Sequence, residues 1–127
     1  MTELVFVYGT LKKGFGNHRL LENAHCLGEA YLPRVIMLDL GAYPAIIAGG
    51  KKEVTGEVYQ VDAETLARLD RLEGHPSFYE RRQVKVFPLL QGVDHWLAWA
   101  YFLSARSQES YHRLSRVESG IWNGRRA

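Results

Sequence analysis

The sequence is almost without cysteine, since Cys26 is the only one among 127 residues. A single cysteine cannot form an internal disulfide, which agrees with a reducing compartment. Cys26 also lies in a segment with strand character, where a lone cysteine is usually a small buried side chain rather than a nucleophile. We therefore interpret Cys26 as a buried structural residue.

Long apolar runs are also absent. No segment approaches the roughly 20 apolar residues that a membrane-spanning helix needs. The first residues, Met1-Thr2-Glu3, carry no basic stretch, and the apolar run behind them is too short for a signal peptide. We expect a cytoplasmic protein that has no membrane partner.

The chain has little excess charge of either sign. Its 16 lysines and arginines against 14 aspartates and glutamates give a formal net charge of +2, and the cations are spread along the sequence. Affinity for phosphate backbones needs several cations on one face of a protein. We expect no nucleic-acid partner.

Metal and nucleotide motifs are missing as well. The five histidines show neither the i,i+4 spacing of ligands on one helix nor any partner cysteines. No glycine-rich phosphate loop with its lysine and hydroxyl residue is present. The sequence therefore predicts neither a metal site nor a cofactor.

What the sequence does contain is a series of short apolar segments divided by glycine and proline. We expect strands at residues 4–7, 26–32, 35–40, 45–48, 53–61, 78–87 and 95–103, a turn at 49–52, and helices at 17–21 and 63–72. Closely spaced strands with tight turns are typical of an antiparallel sheet that curls into a barrel. The predicted fold is α+β: a small, curved, mixed but mostly antiparallel β-barrel with a few short helices packed outside.

The length predicts one domain over residues 1–127, because a chain of this size can bury a core by itself. We expect it to be a monomer or a homodimer. The polar tail, residues 104–127, should pack across the barrel.

The first predicted strand ends in the turn Tyr8-Gly9-Thr10-Leu11. Gly9 can adopt backbone angles closed to other residues, so the amides of Gly9, Thr10 and Leu11 can point together into a small anion-binding concavity. Such a nest would suit a carboxylate. The alternative is a strand that simply ends in a turn.

The predicted helix 63–72 carries one apolar stripe formed by Leu66, Leu69 and Leu72, with Asp62 as its N-cap. Glu73 follows the stripe directly. A carboxylate at the C-terminal end of a helix faces the negative end of the helix dipole, which is mildly unfavourable. Glu73 is therefore either a solvated last-turn residue or a functional one.

The segment between the first turn and the second strand leaves a similar choice. Residues 12–16 are rich in lysine and glycine and should form a mobile loop. Asn17 is placed to cap the short helix that follows. It could instead line a substrate site near the turn.

Four short motifs together give the chain a family resemblance. It is similar to the γ-glutamylcyclotransferase family, and within it to γ-glutamylamine cyclotransferase-like proteins. No motif is specific alone, but their order and spacing are: Val-Phe-Val-Tyr-Gly-Thr-Leu-Lys at 5–12, Asn-His-Arg at 17–19, Gly-Glu-Val-Tyr at 56–59, and Leu69-Asp70 followed by Glu73.

The resemblance implies a reaction on a small γ-glutamyl molecule. The α-amine of the glutamyl group attacks its own side-chain amide carbon, which closes 5-oxoproline and expels an amine. Glu73 would act as general base and then as general acid, while Tyr8, Gly9, Thr10, Leu11, Asn17 and Tyr79 would bind the substrate. Neither a metal nor a covalent intermediate is needed, because attacking and leaving groups belong to one molecule.

The leaving group is predicted from what rims the site. We expect the rim to be formed by residues 12–17, 41–44 and 75–77 and by the tail near Trp122. These segments offer no obvious partner for a second carboxylate apart from the mobile Lys12 and Lys13. Amines without an α-carboxylate should therefore leave better than α-amino acids. Two other readings stay open, namely a module that binds a γ-glutamyl or amino-acid derivative without turnover, and a related enzyme that transfers the acyl group to an external amine.

Overall fold

The computed structural model describes residues 2–90, 92–111 and 115–124. In chain order these residues form β1 (Thr2–Val7), a 3₁₀ helix (His18–Leu21), β2 (His25–Asp39), β3 (Pro44–Asp62), α1 (Ala63–Glu73), β4 (Tyr79–Pro88), β5 (Trp96–Leu103) and α2 (Ala105–Tyr111). Neither α-helix of this described part is long and apolar enough to cross a membrane.

The strands close into a barrel in the order β1-β3-β2-β4-β5. Four neighbouring pairs are antiparallel. The barrel closes where β1 lies parallel to β5, with Val5 opposite Trp99. The predicted mixed, mostly antiparallel barrel is confirmed.

The two long strands correct the sequence-based boundaries. The predicted strands 26–32 and 35–40 are one strand, β2, and the predicted strands 45–48 and 53–61 are both part of β3. The expected turn at 49–52 lies inside β3, where Val35 of β2 pairs with both Ala48 and Lys52. Gly49 and Gly50 have positive φ there, so the glycines form a bulge that bends the strand instead of reversing the chain.

The first strand is buried on both faces. Phe6 belongs to one core cluster with Val58 of β3 and Ala98 of β5, and it is fully buried. Val5 and Val7 belong to a second cluster that includes Leu69 of α1. The helix therefore packs outside the barrel against β1, as predicted.

Two predicted burials are wrong. Leu66 and Leu69 are buried, but Leu72 is 43% exposed, because it lines a cavity at the end of the helix. Cys26 is exposed. The first five residues of β2 are all exposed or half-buried, so none of the described residues fully covers this end of the strand.

The chain returns across the barrel after α2. We call residues 115–124 the C-terminal strap. Val117 donates its amide to the carbonyl of Met37 at 2.8 Å, and the carbonyl of Gly120 accepts the amide of Thr55 at 2.9 Å. Trp122 is 3% exposed and lies in the core cluster of Phe6. The described part of the tail thus packs across the barrel as expected, while residues 112–114 and 125–127 lie outside the described residues.

Candidate active site

A cavity of about 320 Å³ opens where β1 ends. The turn after β1, the loop between β2 and β3, the last turn of α1 and the start of β4 all meet at its wall. The described lining residues are Phe6, Val7, Tyr8, Gly9, Thr10, Leu11, Asn17, Tyr43, Pro44, Arg71, Leu72, Glu73, Gly74, Phe78, Tyr79 and Tyr101. The structure therefore places every site residue predicted from the sequence on the wall of one cavity.

The turn after β1 has unsatisfied backbone donors. The amide of Lys12 donates to the carbonyl of Gly9 at 3.0 Å and closes the turn. Among residues 2–90, 92–111 and 115–124, none accepts a hydrogen bond from the amides of Gly9, Thr10 or Leu11. Three successive N–H groups on a cavity wall form a ready site for an anion such as a carboxylate. We call these three residues the amide nest.

Asn17 supports the nest instead of capping a helix. Its side-chain Nδ2 donates to Thr10 Oγ1 at 2.8 Å, and its own amide donates to the carbonyl of Thr10 at 3.0 Å. The 3₁₀ helix that follows has no side-chain cap hydrogen bond. The capping interpretation was wrong, because the side-chain amide of Asn17 donates to the hydroxyl of Thr10 and its backbone amide donates to the Thr10 carbonyl.

The position of Glu73 is set by the way α1 ends. Gly74 adopts a left-handed conformation with φ 66°, and its amide donates to the carbonyl of Arg71 at 3.3 Å. The amide of His75 reaches back to the carbonyl of Asp70 at 2.9 Å. This pair of bonds is a Schellman motif, which satisfies the last carbonyls of the helix and stops it. Glu73 is thereby held as the last helical residue, at the cavity wall.

The carboxyl group of Glu73 is half-buried, and burial raises its pKa to about 7. Removing a carboxylate from water disfavours the charged form, which is the direction observed here. A carboxyl group with this pKa accepts and returns a proton at neutral pH, because both of its forms are populated. Glu73 is therefore a functional candidate rather than a solvated helix end.

Three tyrosines build the wall around Glu73. The hydroxyl of Tyr8 donates to the carbonyl of Tyr101 at 2.6 Å, and that of Tyr79 donates to the carbonyl of Pro44 at 2.6 Å. Burial raises the pKa of Tyr8 and of Tyr79, and the nearby charge of Glu73 raises both further. The hydroxyls of Tyr8 and Tyr79 stay neutral and hydrogen-bonded, so they shape the cavity.

Asp70 ties the last turn of α1 to the barrel. Its carboxylate accepts two hydrogen bonds from Nε of Arg81, at 2.8 and 3.1 Å, and one from the hydroxyl of Tyr101 at 2.7 Å. The Arg81 guanidinium lies 4.4 Å from the ring centroid of Trp99. Since Asp70 is one turn before Glu73, this cluster fixes the orientation of the helix end relative to β4 and β5.

The loop after the nest, which was expected to be mobile from its lysines and glycines, makes hydrogen bonds to the rest of the barrel. Lys12 is 9% exposed, and its ammonium group donates to the carbonyl of Trp122 at 2.8 Å. The amide of Lys13 donates to Glu57 Oε1 at 2.9 Å. Neither lysine lies among the described residues that line the cavity. The ammonium group of Lys12 is bound by the strap and the amide of Lys13 by β3. Composition alone could not show these contacts.

Several lining residues were missed by the sequence analysis. Arg71 is the one lysine or arginine among the described lining residues, and Tyr43, Phe78 and Tyr101 add aromatic surface. Arg71 could have been noticed from its place two residues before Glu73. Tyr43 belongs to the segment 41–44 that was expected at the rim, whereas Phe78 carried no signal, since only the closed fold brings it to the nest. In the described part of the chain, no group of three or more His, Cys, Asp or Glu residues is placed to hold a metal ion.

Known proteins are similar to this chain in sequence and in fold. Residues 5–124 match the family described as gamma-glutamyl cyclotransferase, AIG2-like. A Vibrio cholerae protein, provisionally named a gamma-glutamylcyclotransferase, is 40% identical over 123 residues that cover 96% of each chain. The Escherichia coli gamma-glutamylcyclotransferase family protein YtfP is 33% identical over 118 residues, which are 93% of this chain and 94% of that protein.

Solved structures agree with the sequence matches. The crystal structure of an AIG2-like protein (ggact) from Mus musculus superposes with a TM-score of 0.81 and 28% identity, over 98% of this chain and 97% of that one. The solution structure of ytfP from Escherichia coli superposes with a TM-score of 0.67 and 33% identity, over 94% and 96% of the two chains. The chain belongs to the AIG2-like gamma-glutamylcyclotransferase family.

Proposed function

We propose that this protein converts a γ-glutamyl amine into 5-oxoproline and a free amine. The observation that carries the proposal is the shared cavity, in which a carboxyl group with a pKa of about 7 lies on the same wall as three unpaired amides. A γ-glutamyl group needs both features, namely a carboxylate holder for its α-carboxylate and a proton acceptor for its α-ammonium group.

Glu73 would move two protons in one turnover. Its carboxylate takes a proton from the substrate α-ammonium group, and the resulting amine attacks the side-chain amide carbon to form the ring C–N bond. The protonated Glu73 then gives this proton to the departing nitrogen as the original amide C–N bond breaks. The ring nitrogen still carries one proton too many, and Glu73 passes this second proton to the released amine, so the products are the 5-oxoproline lactam and an alkylammonium ion. The enzyme returns to its starting charge, and no other reactant is consumed.

The amide nest would hold the substrate in the shape that cyclises. Hydrogen bonds from Gly9, Thr10 and Leu11 to the α-carboxylate fix one end of the glutamyl chain, so the amine faces the amide carbon. Because the attacking amine and the amide carbon belong to one molecule, their proximity is already built into the substrate, and the nest adds mainly binding energy. Asn17 contributes indirectly, because it donates to the hydroxyl and to the carbonyl of Thr10 and leaves the Thr10 amide for the substrate.

The leaving side of the cavity favours an uncharged chain. Tyr43, Leu72 and Phe78 give this region an apolar and aromatic surface. Lys12 and Lys13 are the cations expected to attract a second carboxylate, but the Lys12 ammonium group donates to the carbonyl of Trp122, and neither residue lines the cavity. Arg71 is the remaining cation among the described lining residues. Its effect on the choice of leaving group is measured with Arg71→Gln, as described in the Discussion.

The test is product analysis on a panel of γ-glutamyl compounds, without ATP and with a chelator present. We expect 5-oxoproline and free amine in equal amounts. A panel that yields no 5-oxoproline would favour a binding module. Formation of a new γ-glutamyl amide with an added external amine, in place of 5-oxoproline, would favour acyl transfer.

A further inference from the structure

We propose that Lys12 is a positioning residue for the amide nest, which it fastens to the C-terminal strap. The inference rests on the proposed function, because it treats the nest as the holder of the substrate carboxylate. It adds a role for a residue outside the cavity and for the tail of the chain.

The first observation is the burial of a charged group. Lys12 is 9% exposed, its Nζ donates to the carbonyl of Trp122 at 2.8 Å, and Nζ lies 5.3 Å from the ring centroid of Phe15. Burying an ammonium group is costly unless it is paired or hydrogen-bonded. A solvated lysine at this position would avoid that cost. We infer that the contact of Lys12 with the strap has a structural role that offsets it.

The second observation is the place of Lys12 in the nest loop. It directly follows the three nest residues, its amide closes the turn on the carbonyl of Gly9, and its carbonyl accepts the amide of Phe15 at 3.0 Å. Any movement of the Lys12 backbone therefore changes the direction of the neighbouring amides. The side chain of Lys12 connects that backbone to an element far along the chain.

The third observation is that the strap is a firm anchor. Hydrogen bonds from Val117 to Met37 and from Thr55 to Gly120 join it to β2 and β3. At Gly120, an added Cβ would lie 2.1 Å from the carbonyl oxygen of Glu53, so the strap is held in close backbone contact with β3. The carbonyl that Lys12 binds thus has a fixed position relative to the barrel.

A positioning role of this kind affects binding more than chemistry. A misaligned nest loses carboxylate binding equally in the ground state and the transition state, which raises KM and leaves kcat nearly unchanged. A direct chemical role would lower kcat instead.

The experiment compares Lys12→Met, which keeps an apolar stem but removes the donor, with Lys13→Met, whose exposed side chain lies outside the cavity. We expect Lys12→Met to raise KM by about tenfold or more with kcat within about threefold, since hydrogen bonds to charged groups are strong. Lys12→Arg, which keeps a cationic donor, should restore KM to within about threefold of the parent. Lys13→Met should match the parent.

Amide hydrogen exchange tests the coupling without any turnover. In Lys12→Met the protected amides of Phe15 and Asn17 should exchange about tenfold faster or more, while β1 and β3 remain as protected as in the parent. The proposal would be overturned if Phe15 and Asn17 exchanged at the same rate in Lys12→Met as in Lys13→Met. It would also be overturned if Lys12→Met lost protection throughout the barrel, or if its kcat fell at constant KM. If the parent itself releases no 5-oxoproline, the proposed function fails, and the exchange result decides the coupling by itself.

Discussion

Among single residues, Glu73 is the one on which the proposed reaction depends. The same carboxyl group at an exposed helix end would be ionised at neutral pH and would bind a proton poorly. Burial at the cavity wall raises its pKa to about 7, so both of its protonation states are populated near neutral pH. Asp70, one turn earlier, stays engaged with Arg81 and Tyr101, so the carboxylates of Asp70 and Glu73 have different surroundings.

The pH dependence of kcat/KM follows from this pKa. The reaction needs Glu73 in its deprotonated form, so kcat/KM should rise with pH through about 7 and level off above it. The measurement is a pH profile of 5-oxoproline release with buffers of constant ionic strength. A profile whose acidic limb has its midpoint near the ordinary glutamate value, roughly 4.3, would contradict the assignment.

The choice of leaving group is a second question at this scale. We expect kcat/KM for a γ-glutamyl alkylamine to exceed that for a γ-glutamyl dipeptide, and Arg71→Gln to change their ratio by less than about threefold. Arg68→Gln is a suitable control, since Arg68 pairs with Glu64 on the exposed side of the same helix. A parent ratio below one that rises about tenfold in Arg71→Gln would show that Arg71 binds a leaving-group carboxylate.

At the scale of elements, the close pairing of β1 with β3 positions the nest at the end of β1. Gly56 makes this pairing possible, because an added Cβ would lie 2.3 Å from the carbonyl oxygen of Val7 and 2.9 Å from the ring of Phe6. Neither the strand backbone nor a fully buried ring can move aside cheaply. The glycine is therefore required by the distance between the two strands.

Gly56→Ala should destabilise the fold by about 3 kcal/mol, as expected for overpacking against a fixed neighbour. Gly16→Ala is the matched control, because a Cβ at Gly16 meets nothing within 4 Å, and it should change stability by less than about 0.5 kcal/mol. Urea unfolding followed by fluorescence measures both. Equal stabilities of the two variants would show that the strands can separate at no cost.

At the scale of the whole molecule, local signals in the sequence were sufficient for the barrel and for the residues of the nest. The apolar run of β1, the turn at Gly9 and the end of α1 at Gly74 each depend on neighbours in sequence. Whether Gly49 and Gly50 reverse the chain or form a bulge depends on the pairing of β3 with Val35 of β2. That pairing is a tertiary contact, which the local sequence does not reveal.

The misplaced side chains have the same explanation. Leu72 continues the stripe of α1, but it lines the cavity at the end of the helix and stays exposed. The Lys12 contact with Trp122 joins residues 110 positions apart, and no local pattern predicts it. Sequence periodicity indicates which face of an element is apolar, whereas the closed fold decides what covers that face.

The most direct test of the whole account is the replacement of Glu73 by glutamine, with Glu64→Gln on the exposed side of the same helix as the matched control. Glu73→Gln should lower 5-oxoproline release by about 10³-fold or more, since general acid–base assistance contributes 10²–10⁴-fold and one group serves twice. It should also remain folded, with a Tm at pH 8 no lower than that of the parent, because it removes the cost of an ionised carboxylate in a buried position. Turnover within about tenfold of the parent in a folded Glu73→Gln protein would contradict the account.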